Sequence, residues 1–242
     1  METPATTAAL PGQLEYLIPG CNALETSLVL GQSWTRGGRP YMLIDTVKRV
    51  LRTLDEHNIP YAVIGGLAVS HHAVPRLTQD VDLIVATEDT GKFRSLFPNC
   101  YQRGTAINEV YEIEGTRVDV LPAKLRYQRA VVKNAVTGQI QGTPAKLACV
   151  RDLILLKMFA APNRPELDAR RADEADMTSL LRVNANTVTA EDICYIGDRL
   201  LELCFTVEER TKTVRQIEWL NDTLRQLGMA DRVFPLPSQD QS

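Results

Sequence analysis

Asp80 and Asp82 stand two residues apart at the start of an apolar run that continues through Leu83, Ile84 and Val85. Residues i and i+2 of a strand point to the same face, so the two carboxylates project side by side. Adjacent carboxylates repel each other and resist burial. A divalent cation relieves both costs, and Mg²⁺ favours one or two carboxylates together with substrate phosphates. A lone DxD also occurs as a pair of exposed or capping aspartates at a strand end, so its neighbours carry the decision.

Two neighbours point the same way. Ile64-Gly65-Gly66 reads as a strand ending in two glycines that open a helix, which presents backbone N–H groups as a phosphate cradle. Glycine lets the backbone approach a triphosphate closely. Taken alone, the pair is equally a simple strand-to-helix turn. The patterns GxxxxGK[ST] and GxGxxG are both absent. The third acid is Asp119, in Arg117-Val118-Asp119-Val120-Leu121, where it faces away from Val118 and Val120 and shares its face with Arg117 and Leu121. If this strand lies beside the first, Asp119 completes a three-carboxylate cluster. Such a cluster can hold two metals about 4 Å apart, one activating a hydroxyl and one stabilising a leaving pyrophosphate oxygen. Asp119 is then the natural ligand of the catalytic metal and a group that helps deprotonate the acceptor.

These residues must be held by regular elements. Ile44, Val47, Val50, Leu51 and Leu54 form one stripe of a helix expected from Ile44 to His57, stopped by Asn58 and Pro60. Tyr61–Ile64 reads as a buried strand, and Leu67 to about Val74 as a short helix before Pro75. Val81–Ala86 reads as a second strand, with Thr87 as a helix cap and a helix from about Asp89 to Leu96. Val110–Ile113 and Arg117–Leu121 read as a hairpin turned by Glu114-Gly115. Ala130–Val136 is a fifth strand candidate.

After Pro144 helical signals take over. Leu153–Ala161 is apolar except for Lys157, and a buried lysine needs an anion; the alternative is a lysine that snorkels to the surface. Three more helices are expected at about 168–182, 190–204 and 207–227, and Thr206 with Glu209 has the spacing of a capping box. Residues 1–40 read as an irregular arm, 41–143 as the core and 144–242 as a helical region.

The 242 residues carry a formal net charge of −3, so no global basic excess announces a nucleic-acid binder. A local basic strip remains compatible, because net charge hides distribution. Five widely spaced cysteines without a CxxC pair argue against a disulfide framework or zinc site, and favour a reducing, cytoplasmic setting. No basic leader or membrane-length apolar run is present. His71 and His72 are adjacent and read as wall or surface residues. Trp34 and Trp219 have no sequence neighbours that suggest a base-stacking platform.

The ordered set resembles the DNA-polymerase-β-type nucleotidyltransferase superfamily: Gly65-Gly66, a DxD fourteen residues after the second glycine, then Asp119 on a later strand. The segment from Gly65 through Val85 is similar to the AbiEii-like branch, the toxin nucleotidyltransferases of type IV toxin–antitoxin systems, where an arginine and a threonine commonly precede the DxD, as Arg76 and Thr78 do. Asp152-Leu153-Ile154 followed by Lys157 resembles the branch's DLIxxK helix. Arg170-Arg171-Ala172-Asp173-Glu174-Ala175-Asp176 resembles its R-x-KD-x-x-D helix, with Ala172 in place of the lysine. A salt-bridged surface helix is the alternative for that last segment. The resemblance covers about Tyr61 to Leu181.

The resemblance implies an α+β fold with a mixed sheet flanked by helices and a C-terminal helical region. It implies transfer of a nucleoside monophosphate from an NTP to a hydroxyl on tRNA or protein, with release of pyrophosphate and a possible antitoxin partner. Asp80, Asp82 and Asp119 would bind Mg²⁺. Gly65, Gly66, Ser70, Arg76, Lys157, Asp173 and Asp176 would serve the nucleotide. A catalytically inactive relative that binds nucleotide or a partner protein is the rival reading.

Overall fold

The computed structural model describes residues 42–236. The arm expected over 1–40 lies outside them. The described chain is α+β: a seven-stranded mixed sheet with helices packed around it. In chain order the elements are α1 (Met42–Glu56), β1 (Tyr61–Ile64), α2 (Gly65–His72), β2 (Asp80–Ala86), α3 (Thr90–Leu96), β3 (Tyr101–Gly104), β4 (Glu109–Ile113) and β5 (Thr116–Ala123). They continue as α4 (Arg126–Lys133), β6 (Val136–Ile140), β7 (Thr143–Leu147), α5 (Val150–Ala160), α6 (Leu167–Val183), α7 (Ala190–Glu202) and α8 (Val207–Gln226). No helix among them is long and apolar enough to cross a membrane.

The strand order is β3-β4-β5-β2-β1-β7-β6. β2 and β5 lie parallel at its centre, and β1 runs antiparallel to β2. Alternation sorts the side chains of β2: Val81, Leu83 and Val85 are fully buried, whereas Asp80 and Asp82 share the opposite, partly open face. The α1 stripe of Val47, Val50, Leu51 and Leu54 is fully buried, as its helical spacing predicts. Thr206 and Glu209 form the expected capping box of α8.

Three expectations are corrected. Ala130–Val136 is not a strand: Ala130 to Lys133 close α4, and β6 starts only at Val136. The short Ala-Val-Val run has no period that separates strand from helix, and the Gln128 side chain settles the matter by accepting from the Leu125 N–H at the helix start. Thr87 does not cap a helix with its side chain. It opens a 3₁₀ turn, and its carbonyl accepts from the Thr90 hydroxyl. Strand structure also persists beyond Pro144, because β7 runs to Leu147 beside β1 before helices take over at Val150.

Candidate functional site

β1 ends at Ile64, and Gly65 turns the chain into α2 with φ of +63°. A Cβ at Gly65 would sit 1.9 Å from Asp82 Oδ2, so only glycine fits both the backbone conformation and the space. A Cβ at Gly66 would meet the Thr78 hydroxyl at 2.7 Å. The two glycines therefore let the first turn of α2 lie directly on the strand that carries the acids.

β2 and β5 are in register so that Asp82 lies opposite Asp119 and Asp80 opposite Arg117. Carboxylate oxygens of Asp80, Asp82 and Asp119 lie within 4.8 Å of one another. Burial first, then the charges of Asp80 and Asp119, push the Asp82 carboxyl up to about 7, against the opposing pull of Lys157 and Arg164. This concentration of negative charge fits a divalent cation, which supplies the positive charge that repulsion and desolvation call for.

Two neighbours orient the acids. The Thr78 hydroxyl donates to Asp80 Oδ1 at 2.9 Å. Arg117 forks onto Asp119, with Nε 3.1 Å from Oδ1 and an Nη 2.8 Å from Oδ2. Such a bidentate pair fixes the plane of the carboxylate.

The opposite wall of the cleft comes from α5 and α6. Lys157 is buried and its Nζ lies 2.6 Å from Asp173 Oδ1 and 2.8 Å from Asp176 Oδ2. Arg76 Nε lies 2.8 Å from Asp176 Oδ1, and Arg164 Nε 3.1 Å from Asp173 Oδ2. Three cations thus hold two buried carboxylates, which leaves one positive charge in excess. Lys157 does not snorkel, and the α6 stripe of Asp173 and Asp176 turns inward rather than forming a surface helix. Ser70 is buried. Its hydroxyl accepts from the Arg76 N–H at 3.1 Å and donates to the Arg76 carbonyl at 3.3 Å, which pins the loop carrying Arg76.

The cleft between these walls has a volume of about 410 Å³. Gly65, Arg76, Asp80, Asp82, Asp119, Lys157 and Asp173 all line it, while Asp176 stands behind Lys157. In sequence Thr78 stands out only as part of the motif before the DxD, Arg117 only as a neighbour of Asp119, and Arg164 not at all. Arg117 carried a usable signal, since it shares Asp119's strand face two residues away. Arg164 carried none, because it lies in a loop between Pro162 and Pro165.

No family model matches the sequence, and no curated protein matches it. Solved structures do match, and with the mixed sheet they define a nucleotidyltransferase-like α+β fold. An antigenic nucleotidyltransferase-like protein from Paracoccidioides brasiliensis aligns with a TM-score of 0.52 and 18% identity, covering 81% of this chain and 94% of that one. ANT(2")-Ia in complex with adenylyl-2"-tobramycin aligns with a TM-score of 0.50 and 18% identity, covering 64% of this chain and 94% of that one. At such identities the likeness is one of fold.

Proposed function

We propose that this protein is a Mg²⁺-dependent nucleotidyltransferase that moves a nucleoside monophosphate from an NTP to a hydroxyl acceptor. The observation that carries the reading is the pairing of Asp82 with Asp119 across parallel strands, with Asp80 alongside and the Gly65 turn against them. Asp80, Asp82 and Asp119 would hold Mg²⁺, which supplies charge neutralisation at the phosphates and lowers the pKa of the acceptor hydroxyl.

The remaining roles belong to the chain itself. The backbone at Gly65 and Gly66 takes the triphosphate at the start of α2. Arg76, Lys157 and Arg164 offset its charge, and Asp173 and Asp176 act through the cations that they hold in place. Ser70 serves the nucleotide by fixing Arg76. Asp119, oriented by Arg117, takes the acceptor proton as the acceptor oxygen bonds to the α-phosphorus and the bond to the β-phosphate oxygen breaks. Pyrophosphate leaves. Positioning and electrostatics supply most of the rate gain in such a step.

The sequence motifs around Arg76, Thr78, Lys157 and Asp173 support a finer assignment to the AbiEii-like branch. In that reading the acceptor is tRNA or protein in the cytoplasm, where NTP is available, and an antitoxin restrains the activity. The test is pyrophosphate release by pure protein given each NTP with candidate acceptors. Release should require Mg²⁺ and vanish in Asp80→Asn protein. Mg²⁺-dependent NTP binding that never yields pyrophosphate with any acceptor would favour the inactive, nucleotide-binding relative. Growth arrest on expression, lost in Asp119→Asn, tests the toxin assignment separately.

A further inference from the structure

The back of α6 carries a second chemical surface. Its inward stripe holds Asp173 and Asp176, but Arg171 and Arg182 lie eleven residues apart on another face. Eleven residues are close to three full turns, so the two arginines stand in line about 16 Å apart along the helix. They border a cavity of about 480 Å³ between α6 and α8. An adjoining cavity of about 280 Å³ is bordered by Arg170 and Arg215. Glu174 and Trp219 line both cavities, so the two adjoin at these side chains and are taken together as one groove.

Its charge is one-sided. Arg170, Arg171, Arg182 and Arg215 are exposed, and none of the four pairs with a carboxylate among the described residues. Among the described residues, Glu174 is the one acid lining either cavity. Four cations against one anion leave an excess of three positive charges, on a chain whose net charge is −3. Trp219 lines both cavities, is partly buried and packs in part against the core. No neighbour within α8 marked Trp219 as a stacking platform in sequence. The neighbours come from α6.

We propose that this groove binds single-stranded nucleic acid. Phosphates follow the arginine line, and a base stacks on the exposed part of Trp219. An arginine track with one aromatic plane is the recurring solution for strands whose bases are unpaired. An acidic protein segment would use the same arginines but has no need of the indole face. The surface is distinct from the acid cleft, and its assignment does not depend on the transferase reading.

The test is fluorescence anisotropy of a labelled oligouridylate with the full-length protein at low and physiological salt. Binding should weaken steeply with salt. The triple variant Arg171→Gln/Arg182→Gln/Arg215→Gln should bind at least about tenfold more weakly. It should also flatten the log–log salt slope by about 2, since each lost single-strand phosphate contact removes about 0.7. Trp219→Ala should weaken binding about tenfold with little change in slope. The exposed arginine variant should keep the parent melting temperature, and Asp80→Asn protein should bind like the parent. No binding at low salt, or binding that the triple variant leaves intact, overturns the proposal. Polyglutamate bound in preference to oligouridylate, with the same arginine dependence, also overturns it and reassigns the groove to an acidic protein partner.

Discussion

Asp82 and Asp119 face each other as register partners across the parallel strands β2 and β5, although they stand 37 positions apart in sequence. Asp80 joins them from the same face of β2, and nothing but added positive charge relieves their repulsion. Replacing Asp82 or Asp119 by asparagine should therefore have opposite effects on two measurements. Mg²⁺-dependent pyrophosphate release should fall by at least about 10²-fold. The metal-free fold should meanwhile gain stability in Asp82→Asn, by roughly 1–3 kcal/mol at mildly alkaline pH. A loss of stability in that variant, followed by urea denaturation in chelator, would contradict the electrostatic account.

The Asp82 carboxyl, raised to about 7 by burial and by its acidic neighbours, also sets a pH dependence. The folded state holds this proton more tightly than the unfolded chain, whose carboxylates titrate near about 4. The associated stability is therefore complete below that value and is lost as pH rises through about 7. In chelator, the melting temperature should decline between about pH 5 and about pH 8, with a shallower decline in Asp82→Asn. Mg²⁺ should restore stability at the alkaline end and do little at the acid end, where protons compete. Identical pH profiles for the parent and Asp82→Asn would rule this out.

Gly65 couples the backbone to the same carboxylate. Gly65→Ala forces a Cβ onto Asp82 Oδ2 at a left-handed φ. The backbone term alone costs about 1–2 kcal/mol, and displacement of Asp82 adds to it. Denaturation should show that loss together with weakened Mg²⁺ binding by calorimetry. A variant of parental stability and metal affinity would mean that the turn relaxes freely.

Among the described residues, Lys157 alone bridges both Asp173 and Asp176. Removing its charge in Lys157→Met leaves each buried carboxylate with a single arginine, Arg164 on Asp173 and Arg76 on Asp176, and should cost about 1–3 kcal/mol. Adding Asp173→Asn to that variant should recover part of the loss, because the buried carboxylate that lost its 2.6 Å lysine contact is then neutral. Additive effects in the double-mutant cycle would show that the three residues do not act as a unit.

Much of this architecture could be read without coordinates, because it rests on local rules. The face shared by Asp80 and Asp82 follows from the strand period. The α1 stripe follows from the helical period, and the cap of α8 from Thr206 and Glu209. The Glu114-Gly115 hairpin follows from turn chemistry: both residues have positive φ in the structure. Gln141-Gly142 adopts the same conformation between β6 and β7, but the polar residues flanking it hid those strands. The end of α4 reads as a strand from Ala130 because three apolar residues are too few to show a period.

What the sequence by itself determined is the strand face of the acids, the glycine corner and the apolar helix that carries Lys157; that the lysine is buried rather than snorkelling came from the packing. Only the tertiary structure decided that β5 lies beside β2 in the register that joins Asp119 to Asp82, and that Arg117 clasps it. Tertiary packing also brought Arg76 and Arg164 from two loops onto Asp176 and Asp173, and the arginines of α6 beside Trp219. Periodicity constrains which way a side chain points relative to its own backbone. It says nothing of which distant segment will stand opposite, because that is fixed by how all the apolar faces are buried together.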